Sequence, residues 1–329
     1  MVINKHIVSA FAPVALFGYD RSDHFKQTIE RLQANELADR TAVYVFSDNA
    51  KNSEAEAGVQ EVRKLVKGIT GFESVTIIER DTNWGLLRSM IDGVAQVSQK
   101  HGQVIVLEDD IITNPYFLCY MNKALDFYKD IKTVGSISGY VPDYIVKKSR
   151  LNQNDTFFHY RTNCWGWATW GDRWVHVDWA ADNWQYYFQS KAMRTLLSRG
   201  GSDLPGMLRN SMEGKNQSWM ARWYYHCFLH GMLTLYPARS LVDNIGFDGS
   251  GVHSATIKSK SINNVFLRYR TPLQLSKKVE YKFSFPVYVD RRIHNAVKKF
   301  WDQSWFFNSS VANLLRPIYR KISFLYEQR

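Results

Sequence analysis

Apolar and polar positions in the first 140 residues follow two alternating periods. Short apolar runs, PVALFGYD (13–20), TAVYVFSDN (41–49), SVTIIERD (74–81) and VIVLEDD (104–110), read as strands. Between them apolar residues recur every three or four positions: Phe25, Ile29 and Leu32, then Val59, Val62, Leu65 and Val66, then the segment 84–99. This spacing predicts three helices, the first with Ser22 as its N-cap. A helix over 115–130, a strand over 133–141, a helix over 218–231 and a strand over 232–237 follow. Strand–helix alternation with short connections predicts an α/β fold, a mostly parallel sheet flanked by helices. Ligands of such sheets bind beyond the carboxyl ends of the strands. All four early strands end in polar or charged residues: Asp20 and Arg21, Asp48 and Asn49, Arg80 and Asp81, and Glu108 to Asp110.

The last of these ends changes the picture. Three adjacent carboxylates repel one another and are costly to desolvate. A divalent cation removes that penalty, and hard ions such as Mg2+ and Mn2+ combine one or two carboxylates with substrate phosphates. Neighbouring side chains on a strand point to different faces, so the three acids need not share one task. The plainer alternative is a solvated strand end. Set after a buried-looking VIVL at the fourth strand, the cluster points instead to transfer of a sugar from a nucleotide diphosphate, whose departing charge a carboxylate-held metal neutralises.

Composition and charge divide the chain differently. Its 329 residues are 45% hydrophobic and 15% aromatic, enough for one large core or two modest ones. No apolar run reaches the roughly 18 residues a membrane-spanning helix needs, and the first 21 residues read better as a leading strand than as a signal peptide. Cys119, Cys164 and Cys227 are odd in number and far apart, which suggests a reducing, cytoplasmic setting. The aromatic stretch 157–184 reads mainly as a second packing layer. The net charge of +11 belongs to the last quarter, where residues 256–329 carry 15 Lys/Arg against 4 Asp/Glu. Ile293, Val297, Phe300 and Trp301 share one helical face beside Arg291, Arg292, Lys298 and Lys299; Val311, Leu314, Leu315, Ile318, Ile322 and Leu325 repeat the pattern. That composition predicts helices lying on an anionic membrane surface, against the alternative of a helical pair packed on the body. Nucleic acid is disfavoured, because the aromatic residues fall on helical faces and form no stacking platform.

Several motifs occur in a specific order: PVALFGYDRS (13–22), FSDN (46–49), NWGLLRSMIDG (83–93), VIVLEDDI, YRTNCWGWATWGDRW (160–174) and NIGFDGSGVHS (244–254). Together they resemble a GT-A glycosyltransferase, closest to the N-acetylglucosaminyltransferases that begin complex N-glycan branches and to bacterial sugar transferases sharing their pattern. The resemblance implies a GT-A domain over 1–255 and leaves 256–329 as a basic extension. Carried over position by position, it implies that Arg21 and Asp48 contact the uridine end of a UDP-sugar. Asp110 would bind Mn2+ or Mg2+, Asp109 the ribose and Glu108 the donor sugar. Trp165 and Trp167 would face the sugars. The loop with Gly249 and Gly251 would close on the diphosphate, and His253 would be a phosphate contact or second metal ligand.

An inverting transferase needs a base for the acceptor hydroxyl. The resembling enzymes place an Asp just before a helix-borne Trp, but here GKNQSW puts Gln217 and Ser218 there. Glu213 or Asp248 could substitute, or the chain could be inactive or use retaining chemistry. The expectation is therefore a metal-dependent hexosyltransferase, with UDP-GlcNAc the leading donor. Its acceptor would be a lipid-linked or lipopolysaccharide-type glycan at the inner face of a bacterial membrane. The rivals are a carbohydrate-binding protein that has lost the base, favoured by Gln217 and Ser218, and a sugar nucleotidyltransferase, disfavoured because PVALFGYDRS lacks a Gly-rich basic loop.

Overall fold

A computed structural model describes residues 11–142, 145, 155–248 and 280–308, with side chains to 301. Strand β1 (Val14–Gly18) is followed by helix α1 (Ser22–Gln33), β2 (Ala42–Ser47), α2 (Ser53–Lys67), β3 (Ser74–Glu79), α3 (Gly85–His101) and β4 (Gln103–Glu108). The predicted alternation is met, with one change at α1. Ser22 is its first helical residue rather than its cap, and its hydroxyl bonds Glu61 instead. After β4 come β5 (Ile111–Thr113), α4 (Phe117–Tyr128), β6 (Val134–Ser138), β7 (Thr156–His159) and β8 (Trp167–Trp170). Short helices α5 (Gly171–Trp174), α6 (Trp184–Gln189), α7 (Lys191–Leu197) and α8 (Leu204–Met212) precede α9 (Trp219–Leu229), β9 (Leu233–Pro237), β10 (Val242–Asn244) and α10 (Arg291–Asn308).

Eight strands form one sheet in the order β3-β2-β1-β4-β8-β6-β9-β7. The four strands from β3 to β4 are parallel, as is the β6/β9 pair, while β8 and β7 run against their neighbours. The two-residue period of each strand divides the apolar side chains between two faces. Val14 and Leu16 of β1, with Ile105 and Leu107 of β4, pack with α1, α2 and α4. Ala15, Phe17, Val104 and Val106 pack on the opposite face with α3 and α9. Helices α1 and α2 thus cover one face and α3 the other. The strand order reverses between β1 and β4, and the reversal opens a crevice beyond the carboxyl ends of those two strands.

The second face is filled by the aromatic stretch. Trp167 is wholly buried against Trp219 at 5.1 Å and Trp174 at 5.5 Å, with Trp223 at 6.4 Å. This corrects the expectation that Trp167 faces a sugar: every face of its ring is packed inside the protein.

The domain boundary expected near 255 lies outside the described residues, but the chain beyond it returns to the body. Tyr281 and Phe283 pack on Tyr120 and Tyr128, and the Ser284 amide and hydroxyl bond Thr156. Asp290 caps α10 through the amides of Arg292 and Ile293. The apolar face of α10 (Ile293, Val297, Phe300) is buried against Val141, Phe157 and Tyr236, and His294 meets the buried His159 at 3.2 Å. That corrects the expected bilayer-facing apolar stripe. The stripe serves the fold, and what α10 shows to solvent over residues 291–301 is Arg291, Arg292, Asn295, Lys298 and Lys299. The second predicted amphipathic segment, 311–325, lies outside the described residues. No helix among those described is long and apolar enough to cross a membrane.

Candidate functional site

The parallel registers align Gly18 with Ser47 and Phe17 with Glu108. The residues that follow, Arg21, Asp48, Asp109 and Asp110, therefore emerge at the same end of the sheet, at the switch point. The Arg21 guanidinium, at the start of α1, reaches across 88 residues of sequence to Asp109 and lies 2.9 Å from Asp110 Oδ2. One nitrogen, Nη2, makes both contacts. Thr28, two turns further along α1, donates to the Asp109 carbonyl at 2.8 Å and fixes the helix against the acidic turn.

The chain then turns back through β5, whose antiparallel pairing with β10 sets Asn244 opposite Ile111. This delivers the NIGFD loop onto the acids. The Ile245 amide donates to the Asp110 carbonyl at 2.9 Å. A Cβ on Gly246 would lie 2.2 Å from Asp110 Oδ2 and 2.9 Å from Arg21 Nη1, so any side chain there would have to displace the carboxylate and the guanidinium. Asp248 pairs with His24 Nε2 at 3.1 Å, and His24 is close enough to Asp109 to favour its ionised form. Gly246 and His24 are the two residues the sequence reading missed. The cramped loop glycine had a signal in the motif itself, whereas nothing in the spacing of His24 set it apart from other polar positions on α1. Gly249, Gly251 and His253 lie outside the described residues.

Burial dominates the electrostatics. Desolvation, then the neighbouring Asp110 and Asp109, push the Glu108 carboxyl up to about 8. Desolvation also raises Asp109, to about 6, although Arg21 opposes it. Burial works against the charge of Arg21 too, and the two aspartates more than offset it. The Cys164 thiol is raised by burial and then by Glu108 and Asp110, which places it beside the cluster. Trp165, next along, is half-buried, with its ring edge-on to Tyr140 at 4.4 Å and Phe247 at 5.5 Å. It shares the neighbourhood of the cluster, as Trp167 does not.

Asp48 has a different task from the one expected. Its carboxylate accepts from the amides of Asn49, Trp84 and Gly85 and from the Asn83 side chain, at 2.8–3.2 Å. Four donors use the acceptor sites of a carboxylate, so Asp48 anchors the turn into α3 rather than offering a free oxygen to a base. Gln217 lies over the same turn, its Oε1 3.0 Å from where a Gly85 Cβ would be. Ser218, in the expected base position, is the N-cap of α9 and accepts from the Ala221 amide. Glu213 ends α8 on the surface, paired with Lys215. The structure thus joins Asp248 to the acidic cluster by named contacts and does not join Glu213 to it.

Among the described residues no three His, Cys, Asp or Glu side chains converge into a closed metal cage. Two adjacent carboxylates sharing a single cationic nitrogen do fit the partial, oxygen-only coordination that Mg2+ and Mn2+ complete with substrate phosphates. Asp110 and Asp109 are the residues that would hold such an ion.

An α/β protein with an acidic cluster at its switch point is what fold and site define. No family model and no curated protein matches the sequence. Similar solved structures include a mannosyltransferase from Pyrobaculum calidifontis in complex with GDP-Man and Mn2+, at 13% identity over 49% of this chain and 45% of that one, with a TM-score of 0.32. The chain spans under half the length of that mannosyltransferase. Mouse xyloside xylosyltransferase 1, apo form, matches at 8% identity over 67% of this chain and 83% of that one, with a TM-score of 0.33. Superpositions this loose carry no argument about activity or residue roles.

Proposed function

We propose that this chain is a metal-dependent glycosyltransferase of the GT-A type, transferring a sugar from a UDP-sugar, with UDP-GlcNAc the leading donor, to a glycan hydroxyl. The observation that carries the reading is the Arg21–Asp109–Asp110 cluster, set at the switch point under the Gly246 loop. A divalent cation there would neutralise the charge of the leaving nucleoside diphosphate. The protein's own residues supply the rest. Asp110 and Asp109 present oxygens, Arg21 offers a guanidinium suited to phosphate, and Glu108, largely protonated at neutral pH, can donate a hydrogen bond to a sugar hydroxyl. The half-buried Trp165 edge borders the same space. We assign the acceptor's base to Asp248, the exposed carboxylate closest in contacts to the cluster.

The acceptor is proposed to be lipid-linked, with the protein peripheral on the cytoplasmic face of a bacterial membrane. The support is narrower than the sequence suggested. Four exposed cations on α10 favour an anionic surface by charge alone, each contributing about 1 kcal/mol near such a surface. One observation favours the rival, a carbohydrate-binding protein without transfer activity: Ser218 is consumed as a helix cap, where the resembling enzymes keep an acid.

A thermal-shift panel of nucleotide sugars, with and without Mn2+, tests the reading on the wild type and on Asp110→Ala. One UDP-sugar should raise the midpoint only when Mn2+ is present, by mass action, and the substitution should abolish the rise. Stabilisation by free sugars alone, indifferent to Mn2+ and to Asp110, would instead favour the binding protein.

A further inference from the structure

Arg21 Nη2 occupies the one position that touches both Asp109 Oδ1 and Asp110 Oδ2. Asp109 and Asp110 are the carboxylates that would hold a divalent cation, so the guanidinium and such an ion would compete for them. We propose that Arg21 is the resident counter-cation of the carboxylate pair and yields its place to a divalent cation only when a nucleotide diphosphate arrives to receive its guanidinium. The inference rests on the nucleotide-sugar reading above and adds an order to it: metal and nucleotide enter as a coupled pair.

Three features of the cluster support the exchange. The first is charge count, because two aspartates face one guanidinium and the pair retains an unbalanced negative charge. The second is confinement. The Arg21 side chain is 19% exposed, and the Gly246 turn leaves no room for a side chain beside it, so a divalent ion arriving alone meets a positive charge that has no other carboxylate partner among the described residues. The third is chemistry. A diphosphate offers the guanidinium the same two-oxygen recognition as a carboxylate, so leaving the aspartates then costs Arg21 little. Coupling of this kind is reciprocal: if nucleotide tightens the metal, metal tightens the nucleotide by the same factor.

The experiment follows free Mn2+ by electron paramagnetic resonance as full-length protein is added, with and without UDP. It compares wild type, Arg21→Gln, Arg21→Lys and the double variant Arg21→Gln/Asp110→Asn, with circular dichroism as the check on folding. Without nucleotide, Arg21→Gln should bind Mn2+ about tenfold or more tighter than wild type, within the usual range of coupling. Arg21→Lys should stay near wild type, and the double variant should lose the gain. UDP should tighten Mn2+ strongly on the wild type and weakly on Arg21→Gln. Equal or weaker Mn2+ binding by folded Arg21→Gln overturns the proposal, since Arg21 would then only order the carboxylates. Should that variant not fold, wild-type Mn2+ affinity that is the same with and without UDP overturns it instead. The underlying reading fails separately. If wild type refuses Mn2+ even with UDP, metal-dependent transfer is lost and the exchange with it, whereas Mn2+ bound equally by wild type and Arg21→Gln defeats the exchange alone.

Discussion

Arg161 and Arg21 are both arginines held by aspartates, and they differ in arithmetic and setting. Arg161 meets Asp203 through two nitrogens, each 2.8 Å from its own oxygen, donates a further bond to the Gly200 carbonyl and stacks on Trp301 at 3.5 Å. It is 4% exposed, and its charge is matched one to one. Arg21 spreads a single nitrogen over two aspartates beside a third acid, in a crevice roofed by a glycine. The first pair is complete and holds α10 to the body. The second is short of positive charge, and that shortage is what makes it a place for a ligand. A balanced buried ion pair supports the fold, whereas an unbalanced one at a strand end points to chemistry.

The sharpest way to break this comparison is to neutralise one aspartate in each region. Asp203→Asn leaves Arg161 buried and uncompensated and should cost about 3–5 kcal/mol in urea unfolding. Asp110→Asn should leave the unfolding midpoint close to wild type and reduce UDP-releasing turnover by about 10²–10³-fold, the loss expected when a main electrostatic stabiliser of the leaving group goes. Were Asp110→Asn to unfold the protein as readily as Asp203→Asn does, the two regions would be doing the same work and the contrast would fail.

A second comparison sets Asp248 against Glu213. Asp248→Asn should lower turnover by about 10²-fold or more, as loss of a general base does. Glu213→Gln, a surface change at the end of α8, should leave both turnover and stability near wild type. The reverse pattern would return the base to the 213–218 segment.

The smallest effect concerns pH. Glu108 is raised above its unfolded value by burial and by its acid neighbours, so the folded state holds a proton that the unfolded chain has released. Its contribution to stability is present below about 4.5 and lost as pH rises toward about 8. Each pH unit of difference in pKa corresponds to about 1.4 kcal/mol. Thermal unfolding without metal should therefore show stability falling between pH 6 and 8, and Glu108→Gln should flatten that fall. Parallel slopes for the two proteins would place the proton elsewhere.

Much of the first half was legible because its information is local. The period of two in VALFG and VIVLE and the period near 3.6 in α1 to α3 are set within a few residues, and short connections leave few ways to join them. The acid cluster was legible for the same reason: Glu108 to Asp110 follow an apolar run with no turn between them. The aromatic half was harder. Trp165 and Trp167 are two residues apart in one motif, yet one borders the crevice and the other is sealed among Trp174, Trp219 and Trp223. Alternation would put residues two apart on one face; Trp165 instead precedes β8, Gly166 at φ +55 turns the chain between the two rings, and the arrival of α3 and α9 decides that Trp167 is the one enclosed.

The sequence by itself determined the succession of elements and the strand end at which negative charge collects, because neighbours along the chain settle both. Tertiary structure alone decided what meets that charge: Arg21 across 88 residues, Gly246 through the β5/β10 pairing, and Asp248 by way of His24. It also decided that the apolar side of α10 is spent on the body while its basic side stays in water. Periodicity shows that a helix has an apolar stripe. What covers the stripe depends on which distant surface is complementary to it, and no local pattern records that.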